Sequence, residues 1–317
     1  MKIDLTTIKH YNSFDNILDE NFIDGEYVFL YGDGELDNRC RGVTSFFKNK
    51  ITKSYSIVYN EEEFNFSISD YENKIKSFEF GKNFINKFDN KIFLLDSTSL
   101  GFAEILLVIH YLVAKNNIQI KILYIEPNEY KLKSKDSIFN TEFDLSKGFN
   151  SFRKIPPYSL LIDSSSSTKA KLITLLGFEN ERLSRILEDD DGARYDEFEH
   201  ILALPAFKPG WENISLYRHY NELKDFKNLE FSPANNPYET NRILEKINKN
   251  SNNKQLVIAP IGTKPHSIGA IIFMVNSFYK NKKVGVIYDF PIKKENRTDG
   301  IGLIHEYTIK INNLQKL

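Results

Sequence analysis

The residues with the most chemistry to offer lie where strands give way to helices. Gly262-Thr263-Lys264 follows an apolar stretch, 255–259, and leads through Pro265 and His266 into a strongly apolar segment that opens at Ser267. A strand entering a helix through such a turn aims backbone N–H groups and a helix N-terminus at one spot, here with a lysine beside it. That arrangement favours an anion, above all a phosphate. The turn is neither a Walker A loop nor a dinucleotide fingerprint, both of which need further glycines at set spacing. The same residues also suit a plain strand-to-helix turn with a solvated lysine.

Asp96-Ser97-Thr98-Ser99 is a second polar turn between apolar segments. Its hydroxyls and N–H groups could hold a ribose or a phosphate edge, or simply cap the helix that follows. A third and fourth loop carry arginines: Gly32-Asp33-Gly34-Glu35 before Arg39, and Gly177-Phe178-Glu179 before Arg182. Arginine in a helix's first turn opposes the helix dipole. Its recurrence points to an anion clamp, or to a local ion pair with Glu35 or Glu179. Asp96, Glu35 and His266 are the candidate acids and bases. Trp211 beside Lys208 could stack on a base or pack the start of a helix. The six histidines show no paired metal-ligand spacing, and no nucleophile elbow or catalytic triad order is present.

The elements that must position these turns alternate between strand and helix. Apolar strands are expected at 26–31, 54–59, 92–95 and 118–125, with helices near 39–47, 71–88 and 102–113. A second series follows, with strands at 172–176, 201–204, 257–259 and 284–290. Tyr288 and Pro291 repeat the spacing of Tyr124 and Pro127 at the same offset that relates 257–259 to 93–95. The reading is an α/β chain of two duplicated Rossmann-like halves, each a mostly parallel sheet with helices on both faces, in pseudo-two-fold arrangement. The first half spans 1–130, a linker or crossover 131–170, and the second half 171–317. A tail strand is expected within 300–311. Ligands of open parallel sheets sit beyond the strands' carboxyl ends, so the paired halves would form one composite cleft.

Composition limits the partners. The 317 residues include 25 Phe and 17 Tyr, ample for a sizeable core, while 42 basic residues balance 43 acidic ones. That balance argues against duplex nucleic acid as the main partner. One cysteine, Cys40, rules out an internal disulfide and a cysteine-based metal cluster. No apolar signal region follows the start, and the apolar runs are far short of a bilayer span. A cytoplasmic protein without membrane contact, metal or cofactor is the expectation.

Gly262-Thr263-Lys264 and its partner Asp96-Ser97-Thr98, together with the loops at Gly32–Glu35 and Gly177–Glu179, resemble the ligand loops of CARF domains and of the duplicated SAVED-type version. These are Rossmann-like sensors of cyclic or linear oligonucleotide second messengers in prokaryotic antiviral defence. The resemblance implies a phosphorylated nucleotide-type ligand. Lys264 with the N–H groups of Gly262 and Thr263 would hold phosphate, Ser97, Thr98 and Ser267 sugar or phosphate edges, and Arg39 and Arg182 further charge. No recognisable effector segment accompanies the pattern, which implies a protein partner or a homo-oligomer, or consumption of the ligand by the chain itself. Three functions therefore stand at this point: a sensor or regulatory subunit, an enzyme cleaving or transferring a phosphate or glycosyl group at the same cleft, and a structural subunit of a larger complex.

Overall fold

The computed structural model describes residues 2–18, 23–34, 36–114, 119–135, 137, 141–160, 169–188, 194–223 and 228–312. They form two compact units, one of residues 1–130 with 295–317 and one of residues 131–294.

The chain begins with strand β1 (Lys2–Tyr11) and a fully buried strand β2 (Tyr27–Gly32). Helix α1 (Asn38–Lys48) starts at Asp37, whose carboxylate accepts from the N–H groups of Arg39 and Cys40, satisfying two of the donors a helix start leaves open. β3 (Ser54–Asn60), β4 (Asn65–Ile68) and β5 (Ile75–Lys76) follow as a meander. In place of the long helix expected over 71–88 stands α2 (Phe80–Asn83), flanked by 3-10 turns. Phe66, Phe80 and Phe84 stack successively there and Phe88 meets Phe84 edge to face, with ring centroids 4.2 to 5.2 Å apart, and this aromatic packing overrides the helical spacing. β6 (Ile92–Asp96), α3 (Phe102–Val113), β7 (Gln119–Ile125) and β8 (Glu129–Tyr130) complete this pass.

The second unit opens with short strands β9 (Leu132–Lys135), β10 (Thr141–Phe143) and β11 (Ser146–Phe149). It continues through β12 (Ala170–Leu175), α4 (Asn180–Glu188), β13 (Tyr195–Ala203), α5 (Trp211–Arg218), α6 (Tyr220–Leu223), β14 (Leu229–Ser232) and α7 (Pro237–Lys249). β15 (Leu256–Pro260), α8 (Lys264–Tyr279), β16 (Val284–Val286) and β17 (Pro291–Lys293) end it. Every residue of α8 from Pro265 to Ser277 is buried, as expected of a helix that is apolar on all faces. The chain then returns to the first unit as β18 (Thr298–Asp299) and β19 (Ile304–Asn312), the expected tail strand.

The second unit's sheet has the order β14-β13-β12-β15-β16, and all its neighbouring pairs are parallel. Its order reverses between β12 and β15, the switch point where open α/β sheets gather ligand loops. The first unit corrects the expectation of two duplicated, mostly parallel Rossmann-like halves in pseudo-two-fold arrangement. Its eight strands run β1-β19-β7-β6-β2-β3-β4-β5, a mixed sheet. Parallel pairing is confined to β7-β6-β2-β3, and both flanks are antiparallel. The physical reasons are local. The few residues between β3 and β4 can make only a hairpin, since a parallel return needs a crossover of a dozen residues or more. On the other flank the returning tail strand β19 pairs antiparallel to both β1 and β7.

Candidate functional site

The turn after β15 is held by the fold's own hydrogen bonds. Thr263 caps α8: its hydroxyl accepts from the His266 N–H at 3.2 Å and donates to the Ala234 carbonyl at 2.9 Å. The Ser267 hydroxyl donates to the Thr263 carbonyl at 3.1 Å. His266 is fully buried, with Nε2 at 3.2 and 3.1 Å from the carbonyls of Ser232 and Pro233. Facing acceptors only, Nε2 carries the proton, and Nδ1 is left without a hydrogen-bond partner. Burial drives the imidazole down to about 4 against the opposing pull of the two carbonyls, so it is neutral. Lys264, half-buried, opens the helix. Gly262 and Gly177 mark where the two switch-point loops touch. A Cβ on Gly177 would lie 2.4 Å from the Ile261 carbonyl oxygen, and one on Gly262 would lie 2.8 Å from that of Leu176. Only glycine permits this approach.

Asp96-Ser97-Thr98-Ser99 is an interior staple of the first unit. All four residues are buried. Asp96 accepts from the Thr98 N–H at 2.9 Å and from the Ser99 hydroxyl at 2.5 Å. Ser99 Oγ in turn accepts from the Gly32 N–H, Ser97 Oγ donates to the Leu123 carbonyl, and Thr98 Oγ1 accepts from the Ile125 N–H. Each side chain thus serves the ends of β2, β6 or β7. Burial raises the Asp96 carboxyl, opposed by its bonds from Ser99 and Thr98.

Both arginines make buried ion pairs. Arg39 Nη2 donates to Asp37 at 2.7 Å and Nη1 to the Ile125 carbonyl at 3.0 Å, and Thr298 Oγ1 donates to the same Asp37 carboxylate at 2.8 Å. Burial pushes Asp37 up, but the charge and hydrogen bonds of Arg39, with those from Thr298 and the Cys40 N–H, outweigh it and hold the carboxyl well below its usual range. Arg182 makes a bidentate pair with Asp289 at 2.9 and 2.6 Å. Its Glu179 contact, the local pair expected from spacing, is longer at 3.8 Å. Gly34 has φ +93° and open space around it; Glu35, the expected partner of Arg39 and a candidate base, lies outside the described residues.

What the sequence treated as linker builds a cavity. A pocket of about 160 Å³ in the second unit is lined by Lys133, Glu142, residues 143–149, Phe178, Glu179, Glu181 and Arg218. It borders the loop that leaves the carboxyl end of β12 and the first turn of α4. Lys133 donates to Glu142 at 2.9 Å, which raises the lysine. Arg218 donates to Asn180 Oδ1 at 2.8 Å and lies 3.6 Å from Glu142. Its Nε is buried without a hydrogen-bond partner. Nearby, His219 Nδ1 between α5 and α6 and Glu222 Oε2 on α6 are also buried without one. Phe143, Phe178 and Trp211 form an aromatic cluster beside the cavity, with Lys208 5.7 Å from the Trp211 ring centroid. Trp211 thus packs the start of α5. The one sequence signal for this site was the loop 177–179.

Of the thirteen expected ligand residues, Gly177, Arg182, Gly262, Thr263, Lys264, His266 and Ser267 belong to the second unit. Gly34, Arg39 and Asp96 to Ser99 belong to the first. Among the described residues no group of three or more His, Cys, Asp or Glu could hold a metal ion, and no helix is long and apolar enough to cross a membrane. No protein-family model matches the chain, and no curated protein matches it in sequence.

Proposed function

We propose that the second unit is a binding module for a small anionic ligand of the phosphorylated-nucleotide class, seated in the cavity by the carboxyl end of β12, and that the chain acts as a sensor or regulatory subunit. The carrying observation is Arg218, which lines the cavity and whose buried Nε is a donor with no hydrogen-bond partner. Buried donors are almost always satisfied, and guanidinium groups match phosphate geometry. Lys133 and Lys147 line the same space. At about 160 Å³ the cavity is smaller than the roughly 300–1,000 Å³ that encloses a drug-sized ligand. It therefore suits one phosphate-bearing end of a nucleotide, with the remainder outside.

Binding is preferred to turnover because the two described candidate catalysts, Asp96 and His266, are sealed from solvent and bonded to their own fold. The test is a thermal-shift panel of inorganic phosphate, mononucleotides and cyclic oligonucleotides, followed by calorimetry and chromatography of any hit. Binding without turnover, lost in Arg218→Ala and partly kept in Arg218→Lys, is expected. Absence of any response, or full-strength binding by Arg218→Ala, overturns the assignment, and a consumed ligand moves the reading to the enzyme.

A further inference from the structure

In the first unit the antiparallel register sets His10 opposite His305, and His305 opposite Tyr124. Residues directly across an antiparallel pair are the ones whose side chains interact. His10 Nδ1 lies 2.7 Å from His305 Nδ1, and His305 Nε2 lies 2.6 Å from Glu126 Oε1. His305 is fully buried, flanked by the rings of Tyr124 and Tyr307, whereas His10 is exposed. Burial raises both phenols well above their usual range, so neither supplies a charge.

The distances restrict the proton positions. A carboxylate only accepts, so His305 Nε2 carries a hydrogen. Protons on both facing nitrogens would oppose N–H to N–H at 2.7 Å, so the pair shares one. Where His10 Nδ1 carries it, His10 Nε2 is left with its lone pair at the outer end of a carboxylate–imidazole–imidazole chain; where His305 Nδ1 carries it, His305 is an imidazolium paired with Glu126. Free histidine in water favours the tautomer opposite to the first of these. Partial burial and His305 hold His10 below its usual value, with Glu126 opposing them.

We infer that His10 Nε2 is a proton-accepting and nucleophilic site on the outer strand of the first unit, with His305 and Glu126 as positioning residues. A proton taken up at Nε2 leaves Nδ1–H still donated to His305, and the charge is offset by Glu126 at the far end of the chain. The logic is that by which a carboxylate fixes the tautomer of a working imidazole in metal and hydrolase sites. The partner chemistry is a protic or electrophilic group brought to this strand from outside.

Nitrogen-15 NMR of the full chain reads the tautomer directly. His10 is expected as the Nδ1–H form above its titration midpoint. Glu126→Gln keeps the hydrogen bond and removes the charge, so it should weaken proton binding at His10 on the order of tenfold, one pKa unit. Glu126→Asp should restore it in part. Diethyl pyrocarbonate should carbethoxylate wild-type His10 faster than the Glu126→Gln variant. An Nε2–H tautomer at His10 in the wild type overturns the inference whatever the variants do, as does a titration midpoint unmoved by Glu126→Gln.

Discussion

Acid should loosen the second unit through its buried histidines, and His266 is the sharpest case. Its imidazole is fully buried, its Nε2–H is committed to two carbonyls, and burial drives it from 6.5 down to about 4. A histidine with a depressed folded value binds its proton first in the unfolded chain. Its contribution to stability is therefore complete above pH 6.5 and is lost as pH falls toward 4. At 1.36 kcal/mol per pKa unit, the most this one site can withdraw is about 3 kcal/mol. His200 and His219, also buried, are driven to about 4 by the same desolvation. Their summed loss approaches the roughly 5–15 kcal/mol that holds a domain together. The lone tryptophan, Trp211, sits in this unit, so urea unfolding followed by its fluorescence reports on the relevant part of the chain. Midpoints measured from pH 7.5 to 4.5 should fall steadily in the wild type. His266→Gln should start lower and fall less steeply, because comparison of slopes removes the cost of the substitution itself. Equal slopes in the two proteins would refute the claim that His266 is sealed and neutral, and would reopen it as an acid–base candidate.

Three further outcomes are expected. Asp289→Ala strands a buried guanidinium and should cost about 3–5 kcal/mol, whereas the double replacement Arg182→Met with Asp289→Leu should cost far less; chemical denaturation separates them, and a single variant within 1 kcal/mol of wild type would count against the pair. Asp37, held well below its usual range, should stabilise the first unit above the unfolded value of roughly 3.9 and lose that contribution as pH falls below it; acid unfolding followed by hydrogen exchange should show the loss in wild type and not in Asp37→Asn. Gly177→Ala would set a Cβ 2.4 Å from a carbonyl oxygen and should lower stability by about 1–3 kcal/mol, read by thermal unfolding.

The parts of the fold that the sequence made legible are those decided locally. β2, β6, β12 and β15 are short apolar runs ended by a turn, and α3 and α8 are apolar helices set behind such turns. The tail strand was visible too. Hidden from it were pairings that depend on distant residues: β19 entering between β1 and β7, and Arg182 meeting Asp289, 107 positions away, more closely than Glu179. The short strands β9, β10 and β11 carry too little apolar periodicity to be read as structure, so the cavity they help to form went unseen.

The burial of the polar turns has one physical origin. A serine, threonine or aspartate between two apolar segments is drawn inside with them, and inside it must find partners. Asp96 and its three neighbours find theirs on β2, β6 and β7, and Thr263 and Ser267 find theirs on the first turn of α8 and the Ala234 carbonyl. Residue type and burial therefore predict satisfaction by the fold, and ligand binding only where satisfaction fails. It fails at Arg218 Nε on the cavity-lining end of α5 and at His219 Nδ1 just past that helix, and away from the cavity also at Arg39 Nε and His266 Nδ1. The proposed binding site thus rests on an unanswered donor of a cavity-lining residue, a property of three-dimensional arrangement that no turn motif encodes.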